Sequence, residues 1–140
     1  MIENPPPLEV LPVYQSYEFS QPLVQCKQID NAQGTTPVYL PKVTGRCIRY
    51  DQMLASSSDT AAVKLQLHCI AASVDNTLGS VDIPAGSGYA GVAPVDILGT
   101  LLPAGQTFLL LDSEAQLSIA VEAAVTSGKR VDVSAFGGSF

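Results

Sequence analysis

The sequence predicts an all-β domain, a sandwich or barrel-like body of short antiparallel strands with an extended N-terminal arm. Three observations carry this. Apolar and polar residues alternate with period two along most of the chain. Turn clusters rich in Gly, Pro, Asn and Asp recur between the alternating stretches. The length, 140 residues, is that of one ordinary domain. Such a chain buries roughly two-thirds of its unfolded surface and needs no disulfide or metal to fold. The organisation read from these features is an arm over 1–13 and a single β-rich domain over 14–140.

Residues 1–13 hold Pro5, Pro6, Pro7 and Pro12. Proline fixes φ and disfavours helix at the preceding residue, so the segment reads as extended. Ile2, Leu8, Val10, Leu11 and Val13 are interleaved with the prolines, whereas a solvated tail is normally polar and charged. Two readings stand: an arm lying on a neighbouring subunit, or a tail packed on its own domain.

Tyr14, Tyr17 and Phe19 open a first aromatic strand region, and Leu23–Ile29 follow Pro22 as a second. The run from Asp30 to Gly34 is a turn cluster. Val38, Tyr39 and Leu40, set between Pro37 and Pro41, make a short edge strand. Arg46–Tyr50 follow Gly45 as the next strand. The clearest strand is Val63–Cys69, with Val63, Leu65, Leu67 and Cys69 facing in and Lys64, Gln66 and His68 facing out. Asp75-Asn76-Thr77 reads as a turn, and Val81–Ile83 as a short strand. Pro84-Ala85-Gly86 and Pro103-Ala104-Gly105 are tight-turn signals, the second preceding an apolar strand over 106–111. The Gly- and Ser-rich stretch 84–94 reads as a mobile loop.

Residues 113–127 carry two competing patterns. Ser113-Glu114-Ala115-Gln116 resembles a capping box, with Leu117, Val121, Ala124 and Val125 on one helical face. Alternation instead aligns Leu117, Ile119, Val121, Ala123 and Val125, with Ser118, Glu122 and Asp132 outside. A turn at Thr126–Lys129 then returns Val131, Val133 and Ala135, which favours a hairpin.

Charged residues are 14% of the chain, below the roughly 25% of average soluble proteins. A free monomer covers itself with charge, and a subunit that hides surface against neighbours needs less. The net charge of −6 is uneven. Residues 1–26 carry Glu3, Glu9 and Glu18 and no base, whereas 27–49 carry Lys27, Lys42, Arg46 and Arg49 against Asp30 alone. An acidic body does not invite nucleic acid or an anionic membrane, and the 27–49 patch is too sparse for phosphates. It suits an acidic protein surface instead. Cys26, Cys47 and Cys69 are an odd set without C-x-x-C spacing, which predicts reduced thiols, folding in the cytosol, and neither a disulfide framework nor a zinc site. The first residues have no basic or apolar region of signal-peptide type, and no apolar run reaches membrane-spanning length.

The chemical candidates are few. Gly86-Ser87-Gly88-Tyr89-Ala90-Gly91 matches G-x-G-x-x-G literally, with Asp112 downstream where a ribose-binding acid would sit. That fingerprint needs a helix starting in the glycines, and Pro94, Gly99 and Pro103 fall where it would run. His68 is the lone histidine; it projects from the face opposite Cys69, and no nucleophile elbow accompanies it. It reads as an exposed strand histidine. Asp75-Asn76-Thr77 is a fragment of a calcium-loop pattern without the rest. Aromatics are 6%, thin for sugar or base stacking. The reading is therefore a protein with no enzyme activity, cofactor, metal or catalytic residue, which works by binding and assembling.

The Pro-rich apolar start (Pro5-Pro6-Pro7), the β body low in charge, the Pro-Ala-Gly turns and the Gly-rich end (Phe136-Gly137-Gly138) resemble small virion proteins of tailed bacteriophages, above all capsid decoration or cement proteins. The resemblance is one of style over the whole chain. It implies a homo-oligomer, often a trimer, on the capsid exterior, made in the host cytoplasm and clamping the major capsid protein or another virion subunit. The assembly contacts proposed from the sequence are Ile2, Pro5, Leu8 and Val10 of the arm and Arg46 and Arg49 of the basic segment. Two alternatives are a receptor- or glycan-binding β module of fibre or adhesin type, drawing on Tyr14, Tyr17, Phe19, Tyr39 and Tyr50, and a tail or connector subunit.

Overall fold

A computed structural model describes residues 21–89 and 91–140. The predicted arm and the aromatic stretch at Tyr14, Tyr17 and Phe19 lie outside the described residues. The described strands are β1 (Gln21–Asp30), β2 (Val38–Tyr39), β3 (Ile48–Ser57), β4 (Val63–Ala71), β5 (Val74–Ile83), β6 (Val95–Asp96), β7 (Leu109–Leu111), β8 (Gln116–Val121) and β9 (Arg130–Ser139). One short helix, α1 (Ile97–Leu101), starts at Asp96, whose carboxylate accepts from the Gly99 N–H at 3.0 Å. Two antiparallel sheets result. The five-stranded sheet runs β1-β9-β3-β6, with β7 also on β3, and the four-stranded sheet runs β2-β8-β4-β5. The architecture is an all-β sandwich.

Alternation builds the core. Ile29, Tyr50, Met53, Ala55, Val131, Val133 and Ala135 of one sheet cluster with Leu65, Leu67, Ile83, Leu117, Ile119 and Val121 of the other. These inward side chains interdigitate in the layer between the two sheets. Inside this layer the Tyr50 hydroxyl donates to Gln25 Oε1 at 2.7 Å, and Gln25 Nε2 donates to the Pro41 carbonyl at 2.7 Å. The turn at Asp30–Gly34 forms as a short 3-10 helix closed by reciprocal capping of Asp30 and Gln33. β2 is an edge strand, as its flanking prolines predict.

Among the described strands only β4 and β5 are consecutive in sequence and paired in a sheet. This corrects the predicted hairpin at the end of the chain. Gln116–Val121 is a strand, and the Thr126–Lys129 turn forms with the Lys129 N–H donating to Thr126 O at 2.9 Å. The chain then crosses into the other sheet, so β8 pairs with β2 and β4, and β9 with β1 and β3. Buried Val125 plugs the end of the sandwich. Asp59, buried in the β3–β4 loop, accepts from the Thr126 N–H at 3.0 Å and the Thr126 hydroxyl at 2.8 Å, which fixes the crossing. Ser118, expected outside, is buried, and Ala123, expected inside, is exposed.

A second correction concerns β5. Asp75-Asn76-Thr77 is strand, opposite Ile70, Cys69 and His68. The true turn is Ala72-Ser73, a two-residue loop in which both residues have positive φ, 51° and 63°. This is the primed geometry that follows strand twist, made here without Gly, Asn or Asp.

Candidate functional site

The two outer faces of the sandwich differ in chemistry. On the four-stranded sheet the outer face is largely polar: Lys64, Gln66 and His68 stand opposite Asp82, Ser80 and Thr77. On the five-stranded sheet it is divided: rows with exposed apolar side chains lie toward the start of β1, and the polar rows Gln28, Asp132 and Ser56, and Asp30 and Arg130, lie toward its end. One cross-strand row is Val24, Phe136 and Gln52. The row on one side is Pro22, Gly138, Arg49 and Leu110, and on the other Cys26, Ser134, Leu54 and Asp96. Val24 is 64% exposed and Leu110 54%. Phe108 is exposed too, and its ring lies 5.3 Å from the Arg49 guanidinium carbon.

Charge on these rows is sparse and internally answered. Arg49 Nε lies 2.9 Å from Asp51 Oδ1. Asp96 is spent on the N-cap of α1. Asp51 occupies a bulge, where β3 carries one residue more than β9 between Tyr50 and Gln52. At this bend Gly137 passes so close that a Cβ on it would overlap the Arg49 carbonyl oxygen, which only glycine allows.

The G-x-G-x-x-G stretch bounds the other end of the same face. Gly86, Gly88 and Gly91 take φ of 72°, 79° and 80°, and no helix begins in them. Ser87 is buried, its carbonyl accepts from the Ser57 N–H at 2.8 Å, and the Tyr89 hydroxyl reaches Asp132 Oδ2 at 3.1 Å. The stretch read as a mobile loop is thus tied to β3 and β9 by hydrogen bonds.

Of the contacts proposed from the sequence, Ile2, Pro5, Leu8 and Val10 lie outside the described residues. Arg49 stands on the outer face of the five-stranded sheet. Arg46 sits just before β3 at the same end, half-buried, with its Nε buried and without a hydrogen-bond partner among the described residues. Val24, Leu54, Phe108, Leu110 and Phe136 were not singled out by sequence reasoning. The available signal was the run Phe108–Leu111: a strand apolar at every position must turn some of that surface outward.

His68 is not the exposed histidine the alternation predicts. Its side chain is only 16% exposed, because Asp75, Thr77 and Gln66 close around it. Nδ1 lies 3.1 Å from Asp75 Oδ1 and Nε2 3.2 Å from Gln66 Oε1, so the ring faces an amide where a serine protease presents its nucleophile. Among the described residues no three His, Cys, Asp or Glu side chains are grouped to hold a metal ion. Burial pushes the Cys69 thiol up, away from the thiolate form. An open cleft of about 340 Å³ is lined by Gln28, Asp30, Asn31 and Arg130 among others.

No family model, curated protein or solved structure matches this chain.

Proposed function

We propose that this protein is a structural subunit that works by assembly, and specifically a capsid decoration protein that binds and stabilises a viral capsid lattice as a homo-oligomer. The observation that carries the assembly reading is the exposure of Val24, Leu110 and Phe108 at one end of the five-stranded sheet's outer face. Large apolar side chains left exposed on one face, where they join into a patch, mark interaction sites. Burying Val24 and Leu110 contributes about 1–2 kcal/mol each toward association. The low charge of the whole chain points the same way. The decoration role rests on the sequence resemblance to phage virion proteins. In that role an oligomer bridging capsid subunits holds by several contacts at once, so detachment requires all of them to break together.

The receptor- or glycan-binding alternative needs an exposed aromatic cluster. Tyr50 is buried in the core and Tyr39 stands on the opposite sheet, so neither builds one with the other. The tail or connector alternative shares the assembly chemistry and differs only in partner.

The test is co-sedimentation of the full chain with capsid shells of a tailed bacteriophage, with light scattering on the free protein. Saturable occupancy by an oligomer supports the proposal. A monomer that leaves the shells bare contradicts it.

A further inference from the structure

We draw no further inference here: the strongest candidate, the patch of exposed apolar side chains around Val24, Phe108 and Leu110 at one end of the five-stranded sheet's outer face, belongs to the assembly reading above, and nothing in the structure shows what covers it.

Discussion

The Tyr50 hydroxyl and Gln25 Oε1 meet at 2.7 Å in the buried layer between the sheets, joining β3 to β1 beneath the outer face of their sheet. Gln25 passes the link on to the Pro41 carbonyl, so one polar chain ties both strands to the segment that leads into β3. Tyr50→Phe removes the donor and leaves a buried amide oxygen unanswered. The expected cost is about 1–3 kcal/mol in urea unfolding. Alkali gives a second readout. Burial pushes the Tyr50 hydroxyl from 10.0 to about 12, although its bond to Gln25 acts in the opposite direction. The folded state therefore prefers the neutral phenol. Its stabilisation is complete below pH 10 and is lost as pH rises from 10 through 12, and this loss is absent in Tyr50→Phe.

Asp59 is the corresponding link on the acid side. Burial alone would raise its carboxyl pKa, but hydrogen bonds from Thr126, Ala61 and Thr60 outweigh it and hold the group below the usual carboxylate range. A lowered folded pKa gives stability that is present above about pH 4 and lost as pH falls through the folded value. Asp59→Asn is expected to cost about 1–3 kcal/mol at pH 7 and progressively less below pH 4, by unfolding at a series of pH values.

The β4–β5 turn holds Ala72 and Ser73 at positive φ, a conformation that costs L-residues with a Cβ roughly 1 kcal/mol each. Ala72→Asn with Ser73→Gly supplies residues that accept it. The pair is expected to raise stability by about 1–2 kcal/mol with no change in oligomeric state, measured by urea midpoint and light scattering.

Gly137→Ala places a methyl against the Arg49 carbonyl at the β3 bulge. The strands must separate or the bulge must move, at an expected cost of about 1–3 kcal/mol or more. The thermal midpoint checks it, with Gly138→Ala as the comparison beside it.

Cys26 is exposed on the outer face of the five-stranded sheet, whereas Cys47 and Cys69 are half-buried. A maleimide is expected to label Cys26 first in dilute, dissociated protein, and to label it more slowly as concentration drives association. Cys69 stays slow throughout, because burial disfavours its thiolate.

Strand positions with one buried face were legible in the sequence. Val63–Leu67 alternates cleanly because β4 is central in its sheet and turns only one side to the core, and the pattern fades at His68, where the pairing with β5 shifts register. The Asp30 turn and the proline-flanked edge strand were legible for local reasons. What escaped depends on partners distant in sequence. Nothing local distinguishes a β8–β9 hairpin from a crossing, because Thr126–Lys129 turns the chain either way and the decision lies with Asp59 on another loop. β5 was misread because its turn, Ala72-Ser73, lacks the usual residues while the Asx residues sit inside the strand. Charge alone singles out Arg49, and the structure sets it on the outer face of the five-stranded sheet opposite Leu110. Its neighbours Val24, Leu110 and Phe136 were not legible, since two adjacent apolar residues do not announce which of them faces out.

The central claim is that the protein assembles through the exposed apolar end of the five-stranded sheet's outer face, and light scattering on the full chain tests it most directly. The wild type is expected to have a mass that is an integral multiple of the chain, and Val24→Asp with Leu110→Asp to have the mass of one chain at the same concentration and with the same melting profile. A wild-type monomer, or a variant of unchanged mass, contradicts it.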